Sequence, residues 1–138
     1  MLNKVSAACI IFGSIFGLSG CMSVTPETAG KQSVQELCLG AMQGVMGKGQ
    51  ASATRTAALA ELKARKVFSA KEMAQIEASQ PVPGMSEEAG LCAWGYAPVE
   101  TNSTTTANGA STQYVFGSGY SKPWFLYAEK GVITAVQK

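Results

Sequence analysis

The first twenty residues constrain the fold most, because the sequence marks them for removal. Lys4 precedes an apolar run from Val5 to Phe16, which small residues close before Cys21. A run of this length reads as a cleaved export signal; a membrane span needs about 20 apolar residues. Residues 1–20 are therefore expected to leave with export, and 138 less 20 gives a mature chain of 118 residues beginning at Cys21. That is enough for one small domain and too few for two hydrophobic cores.

Leu18-Ser19-Gly20-Cys21, directly after this Phe/Ile/Leu-rich core, resembles the lipobox of bacterial lipoproteins. The resemblance implies that the Cys21 thiol receives a diacylglycerol and its freed amine a further acyl chain. One chain holds a protein only marginally at roughly 0.8 kcal/mol per buried methylene, whereas two or three make release negligible. In such proteins the next residue helps decide sorting, and Met22, where Asp would retain the protein at the inner membrane, implies a periplasm-facing outer-membrane anchor in a diderm cell. The segment 21–32 reads as lipidated cysteine plus flexible tether, since Ser23 to Lys31 is small, polar and broken by Pro26 and Gly30. Extended, it would reach about 30 Å.

The mature chain carries neither His nor Asp. Without His there is no Ser-His or Cys-His nucleophile pair, no ordinary general base near neutral pH and no imidazole metal ligand. Without Asp the common calcium loops and aspartate dyads are excluded too. Glu87 and Glu88 are adjacent, but helical neighbours diverge by about 100° and do not face one substrate. They fit a helix first turn, where the dipole favours negative charge. The expectation is a protein without catalysis, cofactor, metal or small-molecule substrate. Loss of Lys4 leaves ten basic residues (11 less 1) against nine Glu, so no field draws the chain to nucleic acid.

Cys9 leaves with the signal and Cys21 is acylated, so Cys38 and Cys92 remain. In an oxidising compartment this pair predicts a disulfide; a redox-active pair usually has Cys-X-X-Cys spacing.

Residues 33–138 read as one α+β domain, helical over 33–80. Val34, Leu37, Cys38, Ala41, Met42 and Val45 recur at helical spacing until Gly44, Gly47 and Gly49 end the run. A second helix is expected from Ala51 to Val67, with Ala58, Leu59, Leu62 and Val67 inward. A third runs from Ala70 to about Ala78, opened by the capping box of Ser69 and Glu72 and stopped by Pro81 and Pro83. Met42, Met46, Met73 and Met85 read as core filler. Ser86 caps a short fourth helix that Gly95 closes. Then come strands over Val99 to Thr106 and Thr112 to Phe116 about Asn108-Gly109. A second hairpin, Trp124 to Ala128 and Val132 to Val136, turns on a three-residue loop, Glu129-Lys130-Gly131, with Gly131 at positive φ. The expected architecture is helices packed on one face of a three- to four-stranded antiparallel meander.

Gly84-Met85-Ser86, Trp94-Gly95, Pro98, Asn102-x-Thr104, Gln113 to Phe116, Phe125-Leu126-Tyr127 and Gly131 to Thr134 followed by Gln137 are, in this order, similar to the landmarks of BamE-like (SmpA/OmlA) lipoprotein domains. The resemblance covers residues 81–137. It implies two helices on a three-stranded antiparallel sheet and an accessory, non-enzymatic role in outer-membrane protein assembly or envelope integrity, through contact with the β-barrel assembly machine or with lipid. The helical segment Ser33 to Ala78 and the Cys38–Cys92 pair depart from that family. The shared landmarks are structural, so fold analogy implies a class of function and no partner residues.

Two other readings stay open: an inhibitor or immunity lipoprotein against a periplasmic toxin or muramidase, and a lipoprotein component of an envelope-spanning secretion machine. Tyr120, Lys122 and Trp124, beside Gly117, Gly119 and Pro123, form the candidate partner-contact loop, since loop aromatics often anchor interfaces; Trp124 could equally begin a strand and point inward. Arg55, Lys63, Arg65, Lys66 and Lys71 form a candidate basic surface for anionic head groups or an acidic partner. The plainer reading is a solvated helix face, interrupted by Glu61 and Glu72.

Overall fold

The structure, a computed structural model, describes residues 24–43, 50–117 and 122–138. The signal segment, Cys21 and Tyr120 lie outside the described residues, as do Gly44, Met46, Gly47 and Gly49. Five helices precede four strands: α1 Pro26–Ala29, α2 Val34–Gln43, α3 Gln50–Arg65, α4 Ala70–Glu77, α5 Glu87–Ala93, β1 Glu100–Thr106, β2 Gly109–Phe116, β3 Trp124–Glu129 and β4 Val132–Gln137. The fold is α+β, and the strands form one antiparallel meander in the order β1-β2-β3-β4.

Local chemistry sets the helix starts. Glu36 Oε2 accepts hydrogen bonds from Ser33 N (2.7 Å) and Oγ (2.8 Å), while Ser33 Oγ accepts from Glu36 N. The Ser69/Glu72 box opens α4 in the same way, and Ser86 Oγ accepts from Ala89 N to open α5. These caps satisfy amide donors that no helical carbonyl reaches.

The helices then stack by their apolar faces. Leu37, Cys38 and Ala41 of α2 are buried with Ala58 and Leu62 of α3, Met73 and Ile76 of α4, and Leu91 and Cys92 of α5. Cys38 and Cys92 form the expected disulfide, Cα–Cα 4.9 Å, joining α2 to α5. Closing a loop of sequence separation 54 removes denatured-state entropy worth about 4 kcal/mol. α5 packs directly on β3 and β4. Gly90 permits this: a Cβ there would lie 2.5 Å from Ile133 Cγ1. Inward from the sheet come Phe116, Leu126, Ala128 and Ile133.

Four expectations are corrected. The flexible tether is not found over residues 24–32: Thr25 caps the short helix α1, and Val24, Ala29 and Gln32 are buried. Val24 and Ala58 of α3 both close on Gly40 of α2, and Arg65 donates hydrogen bonds to the carbonyls of Gln32 (2.8 Å) and Ala29 (3.0 Å). A second correction concerns α3, which stops at Arg65 because Lys66 takes φ +53. The chain reverses there, so Val67 is 39% exposed and Phe68 turns inward. In the third, α4 ends at Glu77, with Ser79 at φ +53, before either proline acts. Finally, the β3–β4 turn has two residues: Glu129 pairs with Val132 around Lys130 (φ +51) and Gly131 (φ +78), the dihedral pattern that matches strand twist.

Candidate functional site

The candidate contact residues that the structure describes gather where α5 ends against the sheet. α5 stops at Trp94, and Gly95 (φ +83) donates its N–H to the Cys92 carbonyl, so the chain turns sharply and leaves the Trp94 indole against the sheet. Register then sets Phe116 of β2 opposite Trp124 of β3. Trp94 meets Phe116 edge-on, centroids 5.2 Å apart, and Trp124 at a tilt, 5.4 Å apart. Lys138 Nζ stands 5.8 Å from the centre of the Trp94 ring, a cation–π contact.

Trp94 and Phe116 are buried, whereas Trp124 is 43% exposed and Lys122 is exposed beside it. Trp124 thus begins a strand and presents ring to solvent at once. It is a half-exposed aromatic on a rigid buried base, flanked by cations, which suits protein contact. Sequence reading found Trp124 and Lys122. It did not find Lys138 or the Trp94 base, because only the meander brings the C-terminus back over α5.

The basic residues divide between structural and exposed positions. Arg55 donates to the Ala41 and Glu77 carbonyls, tying α3 to the ends of α2 and α4. Arg65 pairs with Glu61 and holds the α1 segment. Lys63 pairs with Glu77. Lys66 and Lys71 remain exposed. The two guanidiniums are taken up by backbone carbonyls at and beyond helix ends, a structural use that composition does not reveal.

Two carboxylates gain distant partners that only the tertiary structure supplies. Glu72 caps two helices: Oε2 accepts from Ser69 N and Oγ, and Oε1 accepts from Ser86 N (2.9 Å) and Oγ (2.7 Å). Burial pushes its pKa up, but hydrogen bonds from Ser86 and then Ser69 outweigh this and hold it down at about 2. Glu87 of α5 accepts a hydrogen bond from the Tyr114 hydroxyl of β2. Burial first, then that bond and the Glu87 charge, push the Tyr114 phenol up to about 12. Both carboxylates are engaged in holding elements together.

An apolar groove of about 780 Å³ runs between α1 and α3, lined by Pro26, Ala29, Ala53, Ala57, Ala60 and Ala64 together with Thr56 and Glu61. Among the described residues no group of three or more Cys or Glu is placed to hold a metal ion, and no helix is long and apolar enough to cross a membrane. No protein-family model matches the chain, and neither a curated protein nor a solved structure does.

Proposed function

We propose that the chain is a lipid-anchored protein of the outer membrane, facing the periplasm, and a non-enzymatic binding module accessory to outer-membrane protein assembly or envelope integrity. The Leu18-Ser19-Gly20-Cys21 sequence carries this reading. Acyl chains on Cys21 supply the membrane affinity. Because Val24 is already packed in the domain, the three peptide units from Cys21 span at most about 11 Å. The module is therefore held close to its bilayer. The BamE-like landmarks over residues 81–137 supply the class of partner, the β-barrel assembly machine, and the Trp124 corner supplies the contact surface.

Labelling cells with radioactive palmitate tests the anchor: the wild type takes label and Cys21→Ser does not, whereas equal labelling removes the anchor. In-cell crosslinking and pulldown test the role. Recovery of β-barrel assembly subunits, lost in Trp124→Glu, supports it; recovery of a single periplasmic hydrolase or a secretion subunit instead overturns it.

A further inference from the structure

The two edges of the sheet are treated differently. On β4, the segment entering α5 covers the edge: Gly84 N donates to Ile133 O (2.8 Å), Ile133 N to Met85 O (2.9 Å) and Glu87 N to Gly131 O (2.8 Å), with a bridge between Ser86 and Val132. The chain itself thus closes the first part of that edge, from Gly131 to Ile133. At the opposite edge, β1 pairs with β2 through seven consecutive residue pairs, Glu100↔Val115 to Thr106↔Gly109, without a bulge, and among the described residues with no other strand. All seven of its residues are exposed.

Proteins ordinarily blunt such an edge with Lys, Pro, a bulge or a covering segment. β1 reads Glu-Thr-Asn-Ser-Thr-Thr-Thr; beyond the charged Glu100 it holds neither Lys nor Pro, and among the described residues no strand covers it. Its alternate N–H and C=O groups are therefore offered to an incoming backbone over roughly 20 Å. Beyond Glu100 the side chains are uncharged, small or β-branched, so they neither repel a neutral strand nor form a pocket selective for one side chain.

We propose that β1 is a docking edge for an extended, uncharged, β-branched segment of a partner polypeptide, which adds as a fifth strand beside β1. This deepens the binding-module reading and rests on it for the partner's class. Main-chain hydrogen bonds supply the contact, so recognition tolerates sequence, as strand addition does elsewhere. Two copies paired through β1 alone would bury well under the roughly 1,000 Å² a lasting interface needs, which argues for a transient client over a second copy. Sharing one membrane raises the effective concentration and offsets weak affinity.

The test is backbone hydrogen exchange on the full chain as matured in cells, held in detergent, with and without a short alternating Val/Thr peptide flanked by lysines. Alternate amides of β1 are expected to slow by about tenfold or more on saturation, and a peptide N-methylated at alternate residues gives no such slowing. Ser103→Pro and Thr104→Pro remove N–H groups that point to opposite sides of the strand, so one variant loses the effect while β2–β3 protection persists. Unchanged β1 exchange with peptide, or loss in neither variant, overturns the proposal. Protection that rises with protein concentration alone overturns it too, assigning the edge to a second copy. The assay uses no assembly subunit, so its outcome is separate from the pulldown's.

Discussion

At the residue scale, Glu72 shows how one side chain acts beyond its own helix. As the third residue of α4 it completes the Ser69 box, and its other oxygen caps α5 through Ser86. Because its folded pKa is about 2 against an ordinary 4.5, its contribution is fully present above pH 4.5 and is lost as pH falls towards 2. Allowing for solvent screening, this is on the order of 1–2 kcal/mol. Urea unfolding between pH 6 and pH 2 should show that loss in the wild type and a flatter profile in Glu72→Gln; equal slopes would remove Glu72 as its cause. Gly90 makes a steric prediction. Gly90→Ala places a methyl 2.5 Å from Ile133 Cγ1 and should cost about 1–3 kcal/mol, read as a lower urea midpoint at unchanged slope.

At the scale of elements, two ties hold the helical layer in place. The Cys38–Cys92 bridge fixes α2 to α5, and α5 in turn packs on β3 and β4. Replacing both cysteines by Ala should lower unfolding free energy by about 4 kcal/mol, and peptide mapping without reductant should find no free thiol at either position in the wild type. Free thiols there would contradict the pairing. Arg65 makes the second tie, to the carbonyls of Ala29 and Gln32. Arg65→Ala should cost about 1–3 kcal/mol locally and release α1. The readout is tryptic cleavage after the exposed Lys31, expected to be faster in the variant while cleavage within α3 stays slow; equal rates at Lys31 would show that Val24 packing alone holds the segment.

For the whole molecule, the consequence is a graded structure. Helices α1 to α5, Phe116 of β2 and the α5-facing side of β3 and β4 share one core, while β1 lies beyond it, exposed along its whole length. Protection should follow that gradient in hydrogen exchange: highest at Leu37, Leu62, Leu126 and Ile133, lowest along β1. Uniform protection across the sheet would show that β1 is supported by more than its pairing to β2. Trp124 of β3 pairs with Phe116 of β2, and Glu100 of β1 pairs with the neighbouring Val115, so the aromatic corner lies beside the start of the open β1 edge.

The sequence by itself determined the α+β class, the starts of α2 to α5, the cysteine pairing and the approximate positions of the strands. Each follows from short-range chemistry: a Ser three residues before a Glu, apolar spacing, a turn glycine, two cysteines left to pair. Only the tertiary structure decided that Val24 to Gln32 packs as part of the domain, since a small polar sequence looks unfolded until Arg65 reaches its carbonyls across 33 and 36 residues. The same holds for the basic residues. A charge is visible in the sequence, but whether it faces solvent depends on which helix ends fold beside it, and Arg55 and Arg65 are taken by carbonyls far away in the chain. Trp124 and Lys122 stood out in the sequence as an aromatic and a cation side by side, whereas the Trp94 base, Lys138 and the open β1 edge did not, because strand order is a property of long-range pairing.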